Sequence, residues 1–382
     1  MRRTVFGEDH EAFRATVRDF LAREVVPVFP EWEKAGAAPR DFYRLLGKLG
    51  ILGMQVPEEY GGGGQRSFKF NAVVNEELAR AKLGLGPVRV HTDIVLPYLL
   101  RYADAEQRRR WLPGVAGGEL MTAIAMTEPG TGSDLAGIAT TAALDGDHYV
   151  LNGAKTFITG AVNADLVLVV ARTSPPAENR RAGLSILVVE AASPGFSVGR
   201  NLDKLGLKAQ DTAELAFTDV PVPVANLLGE EGRAFDYLGH NLAQERLSIA
   251  VNAQAAAAAA LDVTLAYVSE RNVFGRPLSG FQNTKFVLAE CATEVEAGQA
   301  LVDRALEEHD AGGLSAADAA KVKLFCTELQ SRVVDKCLQL HGGYGYVLEY
   351  PIARMYADAR VTRIYGGTSE VMKSIIAKSI GL

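Results

Sequence analysis

Apolar residues recur at steps of three and four along the first part of the chain, which is the spacing of amphipathic helices. The first such run ends at Pro27, and its apolar positions are Phe13, Val17, Phe20, Leu21 and Val25. The stretches YRLLGKLGILG and NAVVNEELARA repeat this spacing on either side of the glycine tract YGGGGQ. The pattern therefore predicts a helical unit over residues 1–120.

The spacing of apolar residues changes to two between residues 121 and 230. Short β-rich runs, HYVLNG, ADLVLVVART, LSILVVE and AELAFTDVPVP, are separated by the turn signals DG, NG and PPAENRRAG. From residue 231 to 382 the helical spacing returns in long amphipathic stretches with short links, which favour a helical bundle. We therefore expect a compact β domain between two helical units.

Composition narrows the function classes. The chain has 40 basic and 46 acidic residues and a net charge of −6, without the basic stripe that a nucleic-acid-binding protein needs. No uninterrupted apolar stretch approaches the roughly 20 residues of a membrane span, and the N-terminus lacks the apolar core of a signal peptide. Together with the three scattered cysteines Cys291, Cys326 and Cys337, these features lead us to expect a reduced, cytoplasmic protein.

Two common kinds of catalytic centre have no matching pattern in this sequence. The six histidines never fall at a metal-ligand spacing such as HExxH, so we expect no metal site. A GxSxG elbow, the signature of many serine hydrolases, does not occur either. The candidate chemistry is therefore carried by four glycine-containing stretches.

The first stretch is AMTEPGTGSDLAG, residues 125–137. Its glycines resemble a dinucleotide fingerprint, but Leu135 occupies the position of the third glycine and no βαβ alternation surrounds it. What remains is a loop rich in hydroxyls and backbone N–H groups, which suits a polar heterocycle or a phosphate ester. An ordinary turn is the alternative explanation of the same residues.

Two further stretches can be explained either by ligand binding or by a purely structural role. In LNGAKTFITGAVNADL, Phe157 and Thr159 share one face of a strand, where a ring and a hydroxyl can meet a flat cofactor. In RNVFGRPLSGFQNTKF, Arg271 and Arg276 lie at a helix break and can take a pyrophosphate. The alternatives are a half-buried strand and a solvated turn.

Glycine pairs follow two predicted helices near the C-terminus. Gly342-Gly343 and Gly366-Gly367 leave room for something flat or bulky, because glycine has no side chain. Thr368 and Ser369 are good N-caps for a final helix, whose free N–H groups would face the same space.

Together and in this order, these motifs resemble those of the acyl-CoA dehydrogenase family of flavoproteins over essentially the whole chain. The likeness is carried by TEPGTGSD, NGAKTFITG, RNVFGRPL, QLHGGYGY and IYGGTSE. It implies a mainly α fold with a central β domain: an N-terminal helical domain (1–120), a middle β-barrel or sandwich (121–230) and a C-terminal four-helix bundle (231–382). It also implies FAD held between the domains and completed by a neighbouring subunit, in a homotetramer or a dimer.

Residue roles follow from the same resemblance. Thr127 and Thr159 would hydrogen-bond the flavin ring, and Phe157 would take the place of a tryptophan against the flavin face. The positions implied for FAD binding are Met126, Thr127, Gly132, Ser133, Phe157, Thr159, Arg271, Phe274, Gln282, Gln339, Gly343, Thr368 and Glu370. Those implied for the acyl-CoA site are Ser133, Arg246, Tyr365, Gly366 and Gly367.

The family reaction makes a trans-2-enoyl thioester: a base removes the α-proton while the β-hydrogen leaves as hydride to the flavin. Because the α-proton is only weakly acidic, the base is typically a carboxylate whose pKa is raised in a water-poor pocket. Most members carry this glutamate directly after the tyrosine of the IY pair. In this sequence that position is Gly366, which has no side chain to act as a base.

Long-chain and isovaleryl members carry the catalytic glutamate at another position, on the first bundle helix just before an arginine. The stretch LAQERLSIA places Glu245 directly before Arg246. We therefore predict Glu245 as the catalytic base and Gly366 as the source of a backbone N–H for the thioester carbonyl. A carboxylate on the helix surface is the alternative for an arbitrary glutamate.

The leading hypothesis is thus an FAD-dependent acyl-CoA dehydrogenase of fatty acid metabolism that passes electrons to an electron-transfer flavoprotein. A close alternative is a dehydrogenase of acyl or aminoacyl groups tethered to a carrier protein. An alternative from another class is a non-catalytic helical interaction protein that keeps the fold.

Overall fold

Helices form the N-terminal part of the chain. The computed structural model describes residues 2–175 and 179–382, so the predicted turn PPAENRRAG lies partly outside the described residues. In chain order, α1 to α7 are Glu8–Phe20, Phe29–Ala35, Arg40–Lys48, Lys69–Arg80, Gly86–Arg89, Leu96–Tyr102 and Ala105–Gly117. A π-helical turn, Leu21–Val25, extends α1, and another, Val90–Val95, joins α5 to α6.

A mixed sheet follows these helices. Strands β1 to β8 are Thr122–Ala125, Thr141–Asp145, His148–Thr159, Leu166–Arg172, Leu184–Glu190, Phe196–Asn201, Thr212–Pro223 and Leu227–Leu228. The strand order is β6-β7-β3-β2-β4-β5-β8, and β1 pairs in parallel with β4. On β4, Leu168 packs with helix residues such as Leu112, whereas Val169 faces the core of the sheet. Both faces are covered, which explains why ADLVLVVART is a continuous apolar run.

Strand β3 contains a bulge that the sequence pattern does not predict. Its register against β7 shifts between Lys155 and Ile158, so Lys155 and Thr156 are both buried. Phe157 takes a positive φ of 59° and is 66% exposed. For a residue with a Cβ, this left-handed backbone conformation costs about 1–2 kcal/mol of conformational free energy. The bulge therefore turns Phe157 away from the β core, next to Thr159.

Long helices build the C-terminal part around α8. Helices α8 to α12 are Ala234–Glu270, Gln282–Asp310, Ala316–His341, Pro351–Ala359 and Ser369–Ser379. A short hairpin of β9 (Asn272–Val273) and β10 (Arg276–Pro277) joins α8 to α9. Helix α8 has 37 residues and packs against α4, α9 and α10. Its alanines Ala253, Ala257 and Ala260 are fully buried, which allows neighbouring helices to approach closely.

Helix α8 is also unusually apolar. Within the described residues it is long and apolar enough to cross a membrane on length and composition alone. However, 61% of its most apolar stretch is buried inside the molecule, and the same helix buries the charged side chains of Glu245 and Arg246. These are the features of the core helix of a bundle.

Candidate active site

Glu245 lies on α8 where this helix meets the N-terminal helices. Its side chain is 3% exposed, and Tyr98 Oη, from α6, donates a hydrogen bond to Glu245 Oε1 at 3.2 Å. Burial disfavours the charged carboxylate and raises the pKa of Glu245 to about 7, although the bond from Tyr98 and the charge of Arg246 oppose the rise. Glu245 is therefore a buried carboxylate and not a residue of the helix surface.

A buried donor next to Glu245 has no hydrogen-bond partner within residues 2–175 and 179–382. It is Nε of Arg246, the following residue. Arg246 is 6% exposed, and burial lowers its pKa. Because a buried donor without a partner is unfavourable, this group suits a ligand with acceptor atoms.

Gly366 lies against the same face of α8. Its φ is +65°, and a Cβ built at this position would meet Ile249 Cδ1 at 2.2 Å. Ile249 follows Glu245 by one helical turn, so the two side chains lie on the same face of α8. Any side chain at Gly366 would therefore displace the end of the Ile249 side chain beside Glu245.

The peptide after Gly367 is held by a side chain of the bundle. Gly367 has a φ of +97°, and its carbonyl accepts a hydrogen bond from Lys323 Nζ at 2.8 Å. Lys323 is fully buried in α10, and burial, followed by the charge of Arg246, lowers its pKa to about 8. Thr368 then caps α12, as the sequence predicts, with its hydroxyl accepting from Val371 N at 3.3 Å. The glycine loop is thus fixed by bonds on its C-terminal side.

A cleft leads away from this centre. Tyr365 lines it together with Asn252 and Ala256 of α8. Asn252 and Ala256 follow Glu245 by two and three helical turns on the same face of the helix. The cleft is therefore placed to receive a chain that begins near Glu245 and continues along α8.

The loop that contains Met126 and Thr127 is fastened to β3. Lys155 Nζ donates to Met126 O at 3.1 Å and to Glu128 Oε1 at 2.8 Å, and Thr156 N donates to Thr127 O at 2.9 Å. Burial lowers the pKa of Lys155 to about 8, while its pairing with Glu128 opposes the change. These bonds hold the loop beside the bulge of β3.

This loop and the bulge form an open surface. Thr159 Oγ1 accepts a hydrogen bond from Gln210 Nε2 at 3.3 Å, and the exposed ring of Phe157 lies two residues away on the same strand. Gly132 and Ser133 are exposed, and a Cβ at Gly132 would meet nothing within 4 Å. An exposed ring surrounded by hydroxyls and free space suits a flat, polar heterocycle.

The other predicted cofactor residues lie at the far end of α8. Phe274 forms the tip of the β9–β10 hairpin with a φ of +49° and is 95% exposed. The guanidinium carbon of Arg271 lies 5.4 Å from the ring centre of Tyr344, which brings the hairpin next to the turn after α10. The remaining exposed members of this group are Gln282, Gln339 and Gly343.

The length of α8 keeps Arg271 far from Glu245. Glu245 and Arg271 are separated along this helix by about 39 Å, taking the rise of an α-helix per residue. Arg271, Phe274, Gln282, Gln339 and Gly343, here called the hairpin group, are therefore far from Glu245 along α8. Glu370 is exposed in the first turn of α12.

Several residues of this centre belong to no motif that the sequence reveals. Tyr98 and Lys323 contact Glu245 and the glycine loop from helices distant in sequence. The only signal for them is a polar residue in an otherwise apolar helix face, which many structural residues share. In the described part of the chain, no group of three or more His, Cys, Asp or Glu side chains is placed to hold a metal ion.

Comparison with known proteins covers the whole chain. Three family models match it: the acyl-CoA dehydrogenase N-terminal domain over residues 7–119, the middle domain over 123–220 and the C-terminal domain over 232–381. The mitochondrial long-chain specific acyl-CoA dehydrogenase of Sus scrofa is 45% identical, over 99% of this chain and 88% of its own length. The acryloyl-CoA reductase (NADH) of Anaerotignum propionicum is 35% identical, over 100% of this chain and 97% of its own.

Solved structures give the same result. The acyl-CoA dehydrogenase from Geobacillus kaustophilus superimposes with a TM-score of 0.98 at 49% identity, and 100% of both chains is covered. A glutaryl-CoA dehydrogenase from Mycobacterium smegmatis, crystallised in complex with FADH2, superimposes with a TM-score of 0.88 at 29% identity, covering 99% of this chain and 95% of its own. The order of a helical part, a sheet and a helical bundle is shared throughout.

Proposed function

The chain belongs to the acyl-CoA dehydrogenase family of FAD-dependent oxidoreductases, and we propose that it converts a long-chain acyl-CoA thioester into the trans-2-enoyl-CoA. The identity with the long-chain enzyme supports the choice of a long acyl chain. So does the cleft, whose lining residues on α8, Asn252 and Ala256, lie about 10 and 16 Å beyond Glu245 at the helical rise per residue.

The buried carboxylate of Glu245 carries this proposal. An α-proton beside a thioester is weakly acidic, so a carboxylate with an ordinary pKa is too weak a base for it. A pKa of about 7 makes Glu245 a stronger base that is still ionised in about half of the molecules at neutral pH. Tyr98 holds one carboxylate oxygen at 3.2 Å and leaves the other available for the proton.

The glycine loop supplies the second element of the reaction. We assign the thioester carbonyl to the backbone N–H of Gly366, because a donor at this oxygen stabilises the negative charge that develops when the α-proton leaves. The bond from Lys323 to Gly367 O fixes the C-terminal side of the same glycine loop. Without a side chain at Gly366, the thioester can approach both this peptide and Glu245.

The open surface around Phe157 and Thr159 fits the flavin. We assign the ring system to Thr127, Phe157 and Thr159, and the loop at Gly132 and Ser133 to adjoining polar parts of the cofactor. Bound FAD supplies the acceptor for the hydride that leaves the β-carbon. The strained backbone of Phe157, with its φ of 59°, is consistent with a ring held in position for a ligand.

The hairpin group serves a second subunit in this proposal. Arg271 lies about 39 Å from Glu245 along α8. On the strength of this separation we assign the hairpin group, Arg271, Phe274, Gln282, Gln339 and Gly343, to the FAD of a neighbouring copy. This assignment supports a homodimer or homotetramer. We further propose a cytoplasmic enzyme with an electron-transfer flavoprotein as its electron acceptor.

Replacing Glu245 by Gln tests the proposal. The purified protein should be yellow, and a long-chain acyl-CoA should bleach its flavin absorbance under anaerobic conditions. Glu245→Gln should retain the yellow colour but lose rapid bleaching, whereas the control Asp262→Asn, at an exposed carboxylate of the same helix, should bleach like the wild type. Equal bleaching rates in Glu245→Gln and wild type would refute Glu245 as the base.

A colourless protein, or one bleached by no acyl thioester, would instead refute the dehydrogenase activity itself. A yellow protein that acyl-CoA bleaches is incompatible with a non-catalytic interaction protein.

A further inference from the structure

The cleft beyond Glu245 has a polar wall, although an unsubstituted hydrocarbon chain would need an apolar one. Apolar residues such as Leu83 and Met355 line part of it, but so do Gln210, Asn252 and Gln330. Its charged lining residues are Lys82, Arg89, Arg354 and Asp358. Cations therefore outnumber the single acid around a cavity that the proposed function assigns to the acyl chain.

Two of these four charged side chains have partners within the protein. Arg354 Nη1 pairs with Glu33 Oε2 at 2.7 Å, and Asp358 Oδ1 accepts a hydrogen bond from Leu207 N at 2.5 Å. Both side chains thus contribute to holding α11 against its neighbours. Their presence in the cleft has a structural explanation.

Arg89 is different. Its guanidinium is half-buried, Nη2 donates to Tyr365 Oη at 3.1 Å, and the guanidinium carbon lies 5.9 Å from the centre of the same tyrosine ring. Nη1 is buried and has no hydrogen-bond partner among the residues that the structure describes, and no carboxylate in that part of the chain forms an ion pair with Arg89. A neutral phenol does not neutralise the guanidinium, so Nη1 is available to donate to an acceptor that enters the cleft.

The position of Arg89 relates it to the substrate. Arg89, at the end of α5, lines the same cleft as Tyr365, Asn252 and Ala256. The proposed function places the reacting carbons at Glu245 and the rest of the acyl chain in this cleft. A substrate group that meets Nη1 therefore belongs to the acyl chain beyond the β-carbon.

We propose that the acyl chain oxidised by this enzyme carries a carboxylate beyond its β-carbon, and that Arg89 binds this carboxylate as the residue that determines specificity. This inference rests on the proposed function, because it takes the cleft as the acyl site. A carboxylate satisfies both needs of Arg89: it accepts the hydrogen bond of Nη1 and it neutralises the charge, as in the strongest hydrogen bonds of proteins.

The test compares two series of CoA thioesters with acyl chains of equal and increasing length. One series ends in a methyl group and the other in a carboxylate. For each chain length, kcat/KM of the carboxylate-ended thioester is divided by that of the methyl-ended one. At the best length, this ratio in the wild type should exceed the ratio in Arg89→Met by about 10- to 100-fold, the worth of a hydrogen bond between charged groups.

Two further variants separate binding from folding. Arg89→Lys keeps the charge and should retain most of the preference. Arg101→Met removes an exposed arginine that also lies near a tyrosine ring, at 5.8 Å from the centre of Tyr102, and should leave the ratio unchanged. Dissociation constants of non-oxidisable thioether analogues should follow the same order as kcat/KM.

Each outcome has a definite meaning. If methyl-ended thioesters bleach the flavin and the ratio is the same in wild type and Arg89→Met, the proposed function stands and the role of Arg89 is refuted. The same holds if methyl-ended analogues bind as tightly as carboxylate-ended ones at every length. If no thioester of either series bleaches the flavin, the proposed function itself fails.

Discussion

Replacing Tyr98 by Phe tests whether the environment of Glu245 sets the pH at which the enzyme works. Burial raises the pKa of Tyr98 well above its ordinary value, so its hydroxyl stays protonated and donates to Glu245 Oε1 throughout the working range. This bond stabilises the ionised carboxylate and thereby lowers the pKa of Glu245. Without it, burial raises the pKa of Glu245 further.

The size of the shift follows from the bond that is lost. A hydrogen bond to a charged group contributes about 1.5–3 kcal/mol, which corresponds to a rise of about 1–2 pH units in the pKa of Glu245. Because the base must be ionised, the rate of flavin reduction rises with pH and reaches half its maximum near this pKa. The midpoint should therefore move from near 7 to about 8–9 in Tyr98→Phe, and the rate at neutral pH should fall about 5- to 50-fold.

The assay is anaerobic stopped-flow reduction of the flavin by acyl-CoA across a range of pH. Tyr102→Phe is the matched control, since Tyr102 lies one turn further along α6 and bonds to His240 Nδ1 at 3.4 Å instead. In Tyr98→Phe the rate should recover at high pH. A midpoint that stays near 7, with a loss of rate equal at every pH, would show that Tyr98 acts only through packing.

Two other substitutions have expected outcomes that the structure defines. Gly366→Glu restores a carboxylate at the position most family members use. Its Cβ requires Ile249 Cδ1, 2.2 Å away, to move, and its left-handed backbone is strained by about 1–2 kcal/mol. We therefore expect slow flavin reduction and a lower Tm, and a fully active, equally stable variant would contradict this. Lys155→Met leaves Glu128 buried without its cation, which costs about 3–5 kcal/mol in comparable pairs. Both the Tm and the retention of FAD, followed by flavin fluorescence, should therefore fall. Unchanged values would show that Lys155 does not fasten the loop.

Much of the fold could be predicted from apolar spacing. The change from helical spacing to alternation and back predicts a sheet between two helical parts, and the family models and solved structures confirm that order. Strand β4 departs from alternation because helices cover its second face, and this contact joins segments far apart in sequence. The bulge at Phe157 has a similar origin, since it depends on the register against β7.

In the candidate site, too, some residues can be predicted from local motifs and others only from contacts between distant segments. Glu245 and Gly366 can be singled out from the sequence only through the family resemblance, because a glutamate beside an arginine is common in helices. Their roles stay predictions, to which the structure adds burial and proximity to Ile249. Tyr98, Lys323 and Arg89 were not predicted, because each acquires its meaning from a partner that the fold brings from another element.

The length of α8 has a genetic consequence. If the FAD near Glu245 of one copy is completed by Arg271 of another, a single helix carries parts of two different active sites. Two inactive alleles, one altered at Glu245 and one altered at Arg271, would then restore some activity when expressed together. A mixed oligomer contains some active sites in which both Glu245 and Arg271 are intact. Conversely, a hairpin damaged in one copy would silence the sound centre of its neighbour, while the centre of the damaged copy itself would be completed by the sound hairpin, so a mixed dimer would keep one of its two centres.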